Sequence, residues 1–325
     1  MLSSQLLYRL ITAIPILALV TNPDSPIFGR PGNDTVDALL HIDPAFSYQI
    51  NYKENNPIDS LSTNLLALST TIQLSRDDLS RPITPRIWYL PDHQDVKFEA
   101  QPLSIDPLEA RVVTYGLFQA ILNLAQRPRF TECGVLLFMN DVNVGVIYLE
   151  SRVGNSLQRY ANRTDEINNK RSDVDFHGTK SQVSASQAQP QLVVLPSLTS
   201  PVQMDRLSVN YGWLSTTRLS QNRVFLGLLS GVIGLAGLSV FSPGSTINMR
   251  NAEGRVNVEI TPPAPVRRSA PFNSIEESIR VLGRIPLYCI DENQWREVKA
   301  IAFWDGVWIS STTVKDWNPP ANEES

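Results

Sequence analysis

The chain has 325 residues, room for two domains of roughly 100 residues each, and its 42% hydrophobic and 18% charged content excludes both a disordered chain and a multispan membrane protein. A formal charge of -4 with scattered Lys and Arg excludes a binder that works mainly by neutralising nucleic-acid phosphates. With only Cys133 and Cys289 there is no disulfide framework, so apolar cores must hold the fold; buried free thiols are the leading expectation and an inter-domain bridge the alternative.

Residues 1–22 place Arg9 before the apolar run Leu10 to Val20, the layout of a secretory signal peptide; an N-terminal helix packed on the first domain is the rival reading. Residues 23–44, rich in Pro, Gly and Asp, read as an irregular lead-in. Asn33 and Asn162 head glycosylation sequons of a kind that an exported chain uses.

A first domain over 45–150 opens with the alternating strand Phe46 to Tyr52. A helix over Ser60 to Ser75 follows. Ile87 to Leu90 and Val96 to Ala100 form a hairpin across Pro91-Asp92-His93-Gln94. A second helix over Leu108 to Gln126 stops before Pro128, and Val135 to Met139 with Val144 to Leu149 close the unit as a hairpin. Residues 151–200 shift to Ser, Gln, Asn and mixed charge, the composition of a disordered linker. Asp173, Asp175 and His177 lie there without preorganised geometry, so no metal is expected.

A second domain over 201–315 repeats the order about 160 residues on, the mark of an internal duplication. Strand Leu207 to Tyr211 leads to a helix from about Leu219 to Phe241, then a hairpin turning at Ala252-Glu253-Gly254. A helix over Ser274 to Leu282 begins with the capping-box pair Ser274 and Glu277. Val298 to Trp304 and Val307 to Thr313 turn at Asp305-Gly306, the strongest hairpin signal in the chain, and 316–325 is a polar tail. Five segments match between the halves: Gln49–Tyr52 with Ser208–Tyr211, Leu61–Asn64 with Leu219–Asn222, Val96–Glu99 with Val256–Glu259, Ile121-Leu122 with Val281-Leu282, and Phe138-Met139 with Phe303-Trp304. The implied fold is α+β: two tandem related domains, each an antiparallel-rich sheet with two helices packed on it.

Val224 to Phe241 is uncharged and long enough to approach a bilayer span. The duplication puts it where the first half has an ordinary helix, which favours a fully buried helix at the junction of the halves. Gly227 and Gly231 would let it approach a sheet or another helix closely.

No catalytic motif emerges and no cofactor or metal is implied. The three histidines, His41, His93 and His177, fall in a lead-in, a turn and a linker. Glu99 and Glu259 recur at matching strand positions, where a shared outward-facing site and an acid pair across the interface are both open readings. Aromatics are the better lead. In a two-residue hairpin Phe303 faces Trp308 with Ile301 on the same side, while Trp304 joins Ala302, Val307 and Ile309 on the core side. Phe303, Trp308 and Ile301 therefore form a candidate platform for a protein, glycan or small-molecule ligand, against the reading that helices cover both faces.

Glu109-Ala110-Arg111, Tyr115-Gly116, Arg129-Phe130 and the hairpin ending Val144-Gly145-Val146-Ile147 resemble a family of uncharacterised filamentous-fungal, often secreted proteins. The resemblance covers the first domain, implies export and supplies no activity. A local Glu109–Arg111 ion pair and close packing at Gly116 are its structural roles. The expectation is a secreted, non-catalytic binding or interaction module. An enzyme or accessory protein of fungal specialised metabolism with an apolar pocket, and a membrane-associated protein anchored by 224–241, are the alternatives.

Overall fold

The computed structural model describes residues 35–37, 42–76, 78–104, 106–152, 190–196, 206–238, 246–251, 255–263 and 274–317. The leader at 1–22, the sequons at Asn33 and Asn162, Asp173 to His177, His41 and the tail from residue 318 lie outside the described residues.

The elements in chain order are β1 (Thr35–Asp37), β2 (Phe46–Pro57), α1 (Ser60–Arg76), β3 (Arg86–Leu90), β4 (His93–Pro102), α2 (Ala110–Ala125), β5 (Thr131–Met139), β6 (Val142–Ser151), β7 (Gln191–Val194), β8 (Leu207–Arg218), α3 (Gln221–Ala236), β9 (Thr246–Asn251), β10 (Val256–Thr261), α4 (Ile275–Asp291), β11 (Arg296–Trp304) and β12 (Val307–Asp316). They build two six-stranded sheets, ordered β2-β5-β6-β4-β3-β7 and β8-β11-β12-β10-β9-β1. Each sheet is antiparallel except at one edge, where β7 adds parallel to β3 and β1 adds parallel to β9. The α+β reading with two related sheet-and-helix units holds.

Local sequence chemistry explains the corners. Asp59 caps α1 by accepting from the Ser62 N–H at 2.7 Å, and Ser274 and Glu277 form the reciprocal capping box of α4. Asn140-Asp141 and Asp305-Gly306 have φ of 49° and 63°, and 49° and 77°, the left-handed pair that a two-residue hairpin requires. Both closing hairpins also slip register one step inside the turn, at Leu137/Phe138 and at Ala302/Phe303.

Helices α1 and α2 pack on the first sheet and α3 and α4 on the second, and the two helix layers pack on each other through α1 and α3. The result is one continuous apolar core running from Trp88 and Phe98 to Val258 and Val314. α3 is the segment that resembles a membrane span. It is buried from Val224 to Gly231 against α1, α4, β9 and β10, and no helix among the described residues is long and apolar enough to cross a membrane. Gly227 gives it that approach: a Cβ there would stand 2.5 Å from Val256 Cγ1.

Several expectations are corrected. The lead-in and the linker each supply a strand, β1 and β7, so neither stretch is wholly irregular. α4 continues past Leu282 through Pro286 to Asp291, because its buried face runs on through Ile285, Pro286 and Cys289. Of the five repeat matches, those in β4/β10 and in the closing hairpins coincide with the topology. The others slip: register pairing sets Ile50 against Tyr211, and the helix caps set Asp59 against Ser220 and Glu109 against Ser274. Cys133 in β5 and Cys289 in α4 are free and buried, which agrees with the leading expectation and not with the alternative of a bridge.

Candidate functional site

The closing hairpin of the second half brings together the three residues singled out from sequence. Phe303 pairs with Trp308 and Ile301 with Ser311 on the face of the second sheet that points away from the helices. Ala302 and Ile309 are buried, Trp304 packs against the core, and Trp308 is exposed at 39%. Phe303 and Ile301 are half-buried. Ser208 and Asn210 of β8 pair with Phe303 and Ile301 and are exposed beside them. The other indoles of this half are committed elsewhere: Trp213 lies on Tyr288 at 4.8 Å, Trp295 on Phe225 at 5.6 Å, and Arg206 and Arg250 stand over Trp304 and Trp317. Val307, expected on the core side, is instead 45% exposed beside the Asp305-Gly306 turn.

The junction of the halves, the other expected binding place, is a packed core. Asn64 Nδ2 donates to Asn222 Oδ1 at 3.0 Å across it, and Gly283 of α4 lies so close to Ile72 of α1 that a Cβ would meet Cδ1 at 2.6 Å. Glu99 and Glu259 do not meet there, since each lies on the outer face of its own sheet. Glu259 accepts from Lys315 at 2.8 Å, which holds its carboxyl below the usual range. Glu99 is fully buried, accepts from Gln101 and faces Lys97 at 3.6 Å.

Around Glu99 is a charged network that sequence reasoning missed. Lys97 reaches Glu150 at 3.2 Å, and Lys53 reaches Glu150 at 2.9 Å and Glu132 at 3.3 Å. Asn56 and the Ser151 N–H donate to Glu132. Sequence periodicity marks these positions only as outward-facing strand residues, so their convergence across four strands is invisible to it. The arrangement is a mutually satisfied ion-pair lattice of the kind that fixes strand register. The second half keeps one part of it: Glu297, like Glu132, accepts a backbone N–H from the neighbouring strand, that of Asp316.

Among the described residues no group of three or more His, Cys, Asp or Glu could hold a metal. His93 Nδ1 lies 3.2 Å from Ser62 Oγ at the N-terminus of α1. Burial pushes both thiols, Cys133 and Cys289, up to about 12, so neither is a thiolate at neutral pH. Glu109 and Arg111 form the expected ion pair at 2.5 Å, and a Cβ on Gly116 would meet Leu137 Cδ2 at 2.4 Å.

A cavity of about 350 Å³ opens at the other end of β8 and β11, lined by Arg218, Leu219, Asn293, Gln294, Trp295 and Arg296. Sequence pattern gives none of its lining residues a binding role; Leu219 stands out there only as a helix start. No family model, curated protein or solved structure matches the chain. The functional reading therefore rests on the geometry of this chain.

Proposed function

We propose that the chain is an exported, non-catalytic binding module that seats its partner on the Ile301, Phe303 and Trp308 face of the second sheet. The observation that carries the reading is an indole 39% exposed on a hairpin pinned by a two-residue turn, with a second ring and an aliphatic side chain on the same face. Such an anchor is ordered before binding, so little side-chain entropy is lost when a partner covers it. A glycan fits its chemistry best. The apolar face of a sugar ring suits the indole, and its hydroxyls suit the exposed Ser208 and Asn210.

Depletion of the full chain by insoluble cellulose, chitin and β-glucan tests this. At least one is expected to retain it, and Trp308→Ala should weaken retention roughly tenfold or more. Retention by none of them, or retention unchanged in Trp308→Ala, would sink the reading. N-terminal sequencing of protein from the culture medium tests export separately: a start near Thr21 supports it, and an intact Met1 chain confined to cells overturns it. Four of the six residues lining the cavity, Arg218, Asn293, Gln294 and Arg296, are polar or charged beside Leu219 and Trp295, so it does not favour an enzyme working through an apolar pocket.

A further inference from the structure

Because the halves share one topology, each is a control for what the fold requires in the other. Beyond the irregularity that follows Lys53, β2 and β5 end in the register pair Pro57 and Thr131; beyond the one that follows Trp213, β8 and β11 end in Arg218 and Arg296. The next backbone bonds also match, Ile58 N–H to Phe130 O at 3.1 Å and Leu219 N–H to Trp295 O at 3.0 Å. Then come the helix caps, Asp59 for α1 and Ser220 for α3. The first half thus finishes this corner with a proline, a threonine and a carboxylate. The second half finishes it with two guanidiniums and a neutral cap.

Like charges at directly paired strand positions repel, and the positive end of α3 adds to the same field. Among the described residues neither arginine is in an ion pair. The adjacent carboxylate, Glu297, is occupied by Ser215 Oγ at 2.6 Å and the Asp316 N–H at 2.9 Å. Asp291 and Glu292 precede the lining residues but do not line the cavity. The corner therefore concentrates positive charge that the fold does not need, at the mouth of a cavity of small-molecule size. Trp295, held against Phe225, gives that cavity a fixed aromatic wall.

We propose that this cavity binds a small organic oxyanion, a carboxylate or phosphate joined to a flat apolar group, with Arg218 and Arg296 holding the anion and Trp295 the ring. Paired guanidiniums match the geometry of either oxyanion, and charge-assisted bonds of this kind dominate such sites. The site is remote in sequence and register from Trp308, so it stands or falls independently of the sheet-face reading.

Calorimetric titration of the full chain with phenyl phosphate, benzoate and inorganic phosphate, at ionic strength fixed with sodium chloride, tests the proposal. One of the two aryl anions is expected to bind more tightly than inorganic phosphate; which one assigns the head group. Arg218→Gln and Arg296→Gln should each weaken binding about tenfold or more, and the double variant should abolish it. Arg129→Gln, the same charge change in the first half, should leave binding unchanged. Without ligand, the double variant should unfold at the same urea concentration as the parent or a higher one. No binding of any probe, binding retained in the double variant, an aryl anion no better than inorganic phosphate, or a double variant that unfolds earlier would each overturn the proposal.

Discussion

Asn64 is fully buried, and its side chain donates to Asn222 across the junction of α1 and α3. Asn64 Oδ1 has no partner of its own, so the pair is held by one bond at 3.0 Å. Truncating Asn64 removes the donor and leaves the Asn222 carbonyl without it, which costs more than the net worth of the bond itself. Asn64→Ala is therefore expected to lower stability by about 1–3 kcal/mol in urea unfolding. In a double-mutant cycle with Asn222→Ala the two losses should be less than additive, because both remove one interaction. Additive losses would show that the bond contributes nothing and that only packing is lost. The side chains on the sheet faces carry a different constraint. The hydrogen bond from Lys315 holds the Glu259 carboxyl below the ordinary carboxylate range, so this pair stabilises the fold above that range and the contribution is lost on acidification through the lowered value.

At the scale of elements, α3 shows why glycines can sit inside a helix that must stay folded. Their propensity cost is offset by an approach to β10 that no side chain would permit. Gly227→Ala puts a Cβ into Val256 and is expected to cost about 1–3 kcal/mol, whereas Gly212→Ala in β8, where nothing lies within 4 Å, should be neutral or slightly stabilising. Urea midpoints of the two variants check this, and equal effects would show that the α3 to β10 contact is looser than described. Much of the element order was legible because caps and turns are local: Ser274 with Glu277, Asp305-Gly306 and the stop before Pro128 act within a few residues. β1 and β7 were not. They are 3 and 4 residues long in stretches of polar composition, and what orders them is a partner edge far away in sequence. The Phe303, Trp308 and Ile301 face was legible for the same local reason as its hairpin. The arginine cavity was not, because Arg218 and Arg296 are unremarkable until the register pairs them.

At the scale of the molecule, the two short strands interlock the halves. β1 precedes the first half and adds to β9 of the second sheet; β7 precedes the second half and adds to β3 of the first. Since β3 and β9 hold the same place in their sheets, the exchange is reciprocal, as in a domain-swapped dimer joined into one chain. The core gives the same result, because α1 and α3 bury against each other surfaces that either half alone would present to water. A chain split between Ser151 and Gln191 should therefore give fragments that copurify as a one-to-one complex when co-expressed, with a single cooperative unfolding transition. Expressed alone, each fragment should aggregate or lack a cooperative transition, since its helices lose the layer that covers them. Deleting Thr35–Asp37 should lower the midpoint of the intact chain by uncovering the β9 edge, and it should also speed amide exchange in β9 while leaving β3 unchanged. If either fragment unfolds cooperatively by itself, the halves are independent domains that merely touch, two proteins on one chain rather than one interlocked protein.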